Sequence, residues 1–184
     1  MLHYVTSNKS KIEVAQKYLH PHGVIVSGSQ LEFDEIQSSS IEIIARHKAA
    51  EAFRKLNKPL LVNDAGWYIP ALNGFPGPYM KLANEWLTSN DFLNLMSGHS
   101  DRRIIFREVL YYVDSAISKP FISELEGTIL DTDTSPDDLP SYSLISLSET
   151  GKSIADCRKT GVPSTENYRL WTDFAEWYKK NNIS

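Results

Sequence analysis

The sequence predicts a mixed α/β fold, and three observations carry that expectation. Short apolar runs at Leu2–Thr6, Val24–Val26 and Leu60–Asp64 are each separated by a stretch with helical period. A long run of strand character, Arg103–Val113, is followed by a second one, Phe121–Leu130, across Lys119-Pro120. An amphipathic segment closes the chain. Helices interleaved with strands, plus a hairpin, are the pattern of a mixed sheet with helices packed on it. At 184 residues the economical division is one domain, residues 1–184, with no internal repeat, low-complexity tract or convincing linker.

The elements follow in order. Leu2–Thr6 reads as a strand, and a helix is expected from about Ser10 to Leu19, with Ile12, Ala15, Tyr18 and Leu19 on one face and Gly23 closing it. Val24-Ile25-Val26 reads as the second strand. Ser39 with Glu42 three residues later fits a capping box, so the next helix should start there. Its apolar stripe is Ile41, Ile44, Ala45, Ala49, Ala52, Phe53 and Leu56, and Pro59 marks its end. Leu60-Leu61-Val62 enters a buried strand that ends on Asp64, and Gly74, Pro76, Gly77 and Pro78 then punctuate a stiff loop ahead of Lys81. A single helix is expected over roughly Asn84–Met96, then the hairpin. Asp131–Pro140 should be a solvated acidic hairpin tip, followed by an apolar stretch at Tyr142–Leu147 and a C-terminal helix over about Thr165–Lys180.

Bulk composition bounds the function. The chain is 41% hydrophobic and 23% charged, as ordinary globular proteins are. A net charge of −4 gives no global attraction to a nucleic-acid polymer or an anionic membrane, so an anionic ligand needs local cations or a metal. No apolar run approaches the ~20 residues of a membrane span, and Met1–Val5 leads straight into strand-like sequence rather than a signal peptide. The single cysteine, Cys157, excludes an intrachain disulfide framework and suits a reducing cytoplasm.

Few residues are placed to do chemistry. Asp64 arrives at the C-terminal edge of a rigid strand, beside a Pro/Gly loop and the cation of Lys81, an arrangement suited to metal-assisted phosphate chemistry. The opening Thr6-Ser7-Asn8-Lys9-Ser10-Lys11 puts small polar residues and two lysines at a helix start, where free N–H groups and the helix dipole favour an anion. It is not a Walker loop, because the glycines are absent. A solvated helix cap is the equally weighted alternative. Glu35, in the acidic run ahead of the second helix, could share Mg²⁺ with Asp64; a merely solvated run is the competing reading. The acidic loop fails as a calcium site, with Pro136 at the glycine position and Tyr142 where the bidentate Glu belongs. The five histidines show no zinc pattern, and Cys157 has no base beside it.

Taken together, these motifs resemble the inosine/xanthosine triphosphate pyrophosphatase family, over most of the chain from Val5 to about Arg158. Thr6, Asn8 and Lys11 match a family opening that usually reads TGN followed by lysine. Asp64, then Ala71-Leu72-Asn73-Gly74-Phe75-Pro76-Gly77-Pro78-Tyr79 and Lys81, match the family's D and ALNGFPGPYSK. Glu35-Ile36-Gln37 matches its E-x-Q. The resemblance implies a mixed sheet with flanking helices, two lobes around a long central cleft, and a homodimer. It implies Mg²⁺-assisted attack of water on the α-phosphorus of a non-standard or modified purine nucleoside triphosphate, giving the monophosphate and pyrophosphate. On that reading Asn8, Lys11 and Lys81 bind the triphosphate, with Thr6 in the same turn. Glu35 and Asp64 hold the metal, with Asn63 able to contribute an amide oxygen, and Asp64 orients or deprotonates the water.

Three positions depart from the family pattern. Asn63 stands where a Glu usually precedes the Asp, exchanging a carboxylate for an amide that carries neither charge nor basicity. Ser141-Tyr142-Ser143-Leu144-Ile145 is the best match to the base-recognition motif, with Tyr142 kept as a stacking ring. Asp156-Cys157-Arg158 replaces Ser-His-Arg, with Arg158 retained and Lys152 five residues before Cys157 as in the family. Changed base contacts alter specificity by orders of magnitude. Two further functions therefore stay open on the sequence: a weak or inactive relative that binds nucleotides or a protein, and a phosphatase that releases orthophosphate.

Overall fold

The protein is described here from a computed structural model, which defines residues 1–32, 34–165 and 168–181. Strand β1 (Leu2–Val5) pairs in parallel with β2 (Val26–Ser29) and with β3 (Leu60–Tyr68), in the registers Tyr4↔Gly28 and Tyr4↔Leu61. Helix α1 (Lys9–Leu19) connects β1 to β2, and α2 (Ile41–Leu56) connects β2 to β3. The sheet continues through β5 (Arg103–Val113), β6 (Ser118–Ile129) and β7 (Ile145–Ser146), in the order β2-β1-β3-β5-β6-β7. The two-residue β4 (Pro76–Gly77) pairs antiparallel with the end of β3. The expected mixed α/β fold is present.

The chain divides into two compact units. The first comprises Met1–Asp64, Glu108–Ser123 and Arg169–Ser184; the second comprises Ala65–Arg107 and Glu124–Tyr168. In the first unit, α7 (Leu170–Lys180) buries Trp171 and Phe174. Trp171 meets Tyr4 edge-on at 5.5 Å, and Phe174 does the same to Phe121 at 5.3 Å. Such aromatic pairs add about 0.5–1.5 kcal/mol each beyond the area they bury. In the second unit, α3 (Met80–Trp86), α4 (Ser89–Leu95), α5 (Pro140–Leu144) and α6 (Ile154–Thr160) enclose a core of Ile69, Met80, Phe92, Ile104, Leu144 and Ile154.

The differences from expectation are local and have physical causes. The third helix is two, because Thr88 begins a new one: its hydroxyl accepts from Asp91 N–H at 3.2 Å while Asp91 accepts from Thr88 N–H at 2.8 Å. Ser40, not Ser39, caps α2; its hydroxyl accepts from Ile43 N–H and donates to Glu42 at 2.6 Å. The second strand lies two residues later than expected, at Val26–Ser29. The hairpin turns earlier, at residues 114–117, where Asp114 accepts from the N–H groups of Ala116 and Ile117. Pro120 therefore lies within β6, on a stretch that β7 does not reach, since β7 pairs only with Thr128 and Ile129. The acidic segment is no hairpin tip: it leads into α5, and Ser135 within it is buried. Of the C-terminal helix, Leu170–Lys180 is observed, while the part expected at Glu166 and Asn167 lies outside the described residues. Trp171 is buried in the core, and Trp86 is 74% exposed.

Candidate active site

The end of β3 sets the chemistry. Leu60, Leu61 and Val62 are wholly buried, so the strand is held from both faces where it delivers Asn63 and Asp64. Beyond them the chain makes a 3-10 turn at Pro70–Leu72 and returns as β4. That return needs left-handed backbone at Asn73, Gly74 and Gly77, with φ of 53°, 89° and 59°. At Gly77 a Cβ would make only an ordinary contact with the Tyr68 ring, at 3.4 Å, so it is the left-handed backbone and not packing that calls for glycine.

Asp64 has one carboxylate oxygen, Oδ1, 3.4 Å from Lys48 Nζ; the other, Oδ2, is buried with no hydrogen-bond partner. Burial raises the Asp64 pKa above the ordinary carboxylate value, and Glu35 adds to the rise, while Lys48 and Lys11 pull against it. Lys48 also pairs with Glu35 Oε1 at 2.6 Å, so one ammonium bridges the two carboxylates expected to hold a metal. Burial alone would lower the Lys48 pKa; the charge of Asp64 and the hydrogen bond Lys48 donates to Glu35 outweigh it and hold the pKa up. Lys11 lies deeper and fares differently. Its Nζ donates to the Asn63 carbonyl at 3.5 Å, and burial lowers its pKa despite Asp64, Glu108 and Glu35. A buried cation bonded to a carbonyl is electrostatically ready for an anion.

Lys11, Glu35, Lys48 and Asn63 line a cavity of about 670 Å³ within the first unit, together with Thr6 and Ser7. That volume is in the range of small-molecule sites. Asn8 caps α1 beside the lining residues Thr6 and Lys11: Asn8 N–H donates to Thr6 Oγ1 at 3.1 Å, and Asn8 Oδ1 accepts from Lys11 N–H at 3.3 Å. The chain thus brings Thr6, Lys11, Glu35, Asn63 and Asp64 together.

The remaining expected residues lie in the second unit. Lys81, in the first turn of α3, is 89% exposed and 4.0 Å from Glu85. The Arg158 guanidinium sits 3.8 Å from the centre of the Tyr142 ring, a cation–π stack joining α5 to α6. Lys152 is exposed just before Ser153, which caps α6 through Asp156 N–H. Cys157 is buried.

Sequence reasoning missed Lys48 and Glu108. Each left a signal. Lys48 occupies the apolar stripe of α2, four residues after Ile44 and three after Ala45. Glu108 is in period-two register with Ile104 and Phe106 on β5. There it accepts a hydrogen bond from Asn63 Nδ2 at 2.7 Å.

The Ham1 family model matches residues 2–158. The chain belongs to the Ham1 family. Among curated Ham1 relatives, the protein of Methanopyrus kandleri called dITP/XTP pyrophosphatase is 30% identical over 97% of this chain and 96% of its own length. That of Methanosarcina acetivorans, with the same name, is 37% identical over 111 residues, 60% of each chain. The solved Ham1 protein of Staphylococcus aureus superposes with a TM-score of 0.78 over 98% of this chain and 99% of its own, at 19% identity, a likeness of fold.

Proposed function

We propose that this Ham1 protein hydrolyses nucleoside triphosphates, non-standard or modified purines among them, to the monophosphate and pyrophosphate. The observation that carries the reading is Asp64: a largely buried carboxylate of raised pKa, with one oxygen on Lys48, which lines the polar cavity, and the other unpartnered. A carboxylate whose pKa is drawn up toward the working pH is a better proton acceptor than a solvated one. The Asp64 carboxylate takes the proton of the attacking water; the water oxygen bonds to the α-phosphorus, and the bond to the bridging oxygen of the leaving pyrophosphate breaks. Lys11 and Lys48 neutralise phosphoryl charge, which is the main requirement of such a transfer.

We assign Mg²⁺ as the cofactor. The donor set fits a hard cation: Glu35 and Asp64 offer carboxylate oxygens, Asn63 an amide oxygen, and Asp64 Oδ2 is a buried acceptor in need of a partner. Among the described residues there is no cluster of three or more His, Cys, Asp or Glu side chains that could hold a metal by itself, which suits an ion that keeps waters and binds with its substrate. Bound there, Mg²⁺ would polarise the phosphate oxygens and offset their charge. In the second unit, we assign Tyr142 with Arg158 to stacking on the base, and Lys81 and Lys152 to phosphate charge.

We further propose that residues 1–184 act as one domain, since β3, β5 and β6 each contribute to both units. The protein is read as a cytoplasmic homodimer; its one thiol is buried, and Trp86 is an exposed apolar surface. No helix among the described residues is long and apolar enough to cross a membrane. The reaction is tested by incubating purified protein and Mg²⁺ with canonical, deaminated, deoxy and modified nucleotides. Pyrophosphate with the matching monophosphate is the expected result; orthophosphate, or no product from any of them, would refute the reading.

A further inference from the structure

Asn63 is buried one residue before Asp64, and its amide nitrogen is fully committed. Nδ2 donates to Glu108 Oε1 at 2.7 Å and to the Val109 carbonyl at 3.4 Å, both on β5. Both partners are acceptors, so they fix which branch of the amide is nitrogen and leave Oδ1 as the branch outside those bonds.

The charges around this pair are unequal. The groups acting on Lys11 are three carboxylates, Asp64, Glu108 and Glu35, and one further ammonium, Lys48. Without Glu108, two ammoniums face two carboxylates and the cluster offers a divalent cation no net attraction. With it, the cluster is negative by one charge. A second observation points to the same spot. The Tyr4 hydroxyl is wholly buried with no hydrogen-bond partner, and the charges that bear on it are those of Glu108 and Asp64. Asp64 Oδ2 is likewise buried without a partner, an acceptor that a cation would satisfy.

We infer that Glu108 is a positioning residue that acts through Asn63: it orients the amide and supplies, from β5, the negative charge that a carboxylate at position 63 would otherwise give the metal site. The inference rests on the Mg²⁺ site proposed above. The arrangement is a relocated charge. An amide now occupies β3, and the carboxylate it displaces stands one hydrogen bond behind it.

A charge-relocation cycle tests this by Mg²⁺ binding to the nucleotide-free protein, measured calorimetrically. Glu108→Gln keeps the shape and the acceptor oxygen for Asn63 and removes only the charge. It should weaken Mg²⁺ binding roughly 10-fold or more, the scale on which residues supporting metal ligands act. Asn63→Glu in that background should restore affinity to within about 3-fold of wild type, because the charge returns by the other strand. Asn63→Glu alone sets two carboxylates in contact and should lower the melting temperature of the metal-free protein relative to the double variant. Glu108→Asp keeps the charge and serves as the folding control.

Wild-type affinity in Glu108→Gln would overturn the inference, as would a double variant no better than Glu108→Gln. So would a wild-type protein that binds no Mg²⁺. None of these readouts uses turnover, so a protein that passes the cycle yet releases no pyrophosphate sinks the proposed reaction and leaves the role of Glu108 standing.

Discussion

The two units use charge in opposite ways. Around Asp64, the first unit keeps Lys11, Lys48 and Asp64 largely out of solvent, with Glu35 exposed at the edge: Lys48 is paired twice, Lys11 is drawn down by burial and Asp64 is drawn up. In the second unit, Lys81, Lys152 and Arg158 are exposed, and the one close partner of the Arg158 guanidinium among the described ring contacts is Tyr142. Burial tunes reactivity at a cost in stability, while exposure leaves groups free to adapt to a ligand at almost no cost. Chemistry is accordingly expected from the first set and recognition from the second.

The largest effect should come from Asp64→Asn. Loss of a proton acceptor should lower kcat roughly 10²–10⁴-fold. The same change should raise the melting temperature at pH 7. The Asp64 pKa is higher folded than unfolded, so between the two values the folded state binds more protons and stability falls as pH rises. Above that window the ionised carboxylate is a standing penalty, which an amide removes. A variant that is inactive and also less stable would break the contrast between the units.

Two lysines sharpen it. Lys48→Met leaves Glu35 and Asp64 without their bridge and should destabilise the protein by about 1–3 kcal/mol in urea unfolding. Lys81→Met, at an exposed position, should change stability by less than about 0.5 kcal/mol while raising KM. Next in size, Tyr142→Leu should raise KM roughly 10-fold with kcat kept, since base stacking is worth about 1–3 kcal/mol. A fall in kcat without a rise in KM would move Tyr142 out of recognition.

The smallest effect concerns acid stability. Asp114 is partly desolvated, but hydrogen bonds from the Tyr112 hydroxyl at 2.5 Å and from two backbone N–H groups more than offset this and lower its pKa. Its contribution is present above the ordinary carboxylate value and lost as pH falls through the lower folded value. Asp114→Asn should therefore cost stability at pH 7 and little at pH 2, in melts compared across that range.

What the sequence made legible was local. Arg103–Val113, α1 and the strand ending on Asp64 follow from apolar period and capping chemistry, and the motif residues Thr6, Lys11, Glu35, Asn63 and Asp64 do converge. The errors arose where equal local signals competed. Three successive serines, Ser38 to Ser40, precede Glu42, and the cap fell on the third. Thr88 and Asp91 carry a capping box that outweighed the apparent continuity of one helix. Lys48 and Glu108 escaped because their meaning is tertiary: one reaches a carboxylate 16 residues on, the other an amide 45 residues back. A charge on an apolar stripe or strand face was their only trace.

The claim that Asp64 directs water to the α-phosphorus is tested most directly by turnover in ¹⁸O-labelled water, with the products resolved by mass. The account predicts one heavy oxygen in the nucleoside monophosphate and none in the pyrophosphate. Label in pyrophosphate, or in released orthophosphate, would place the attack on another phosphorus and contradict it.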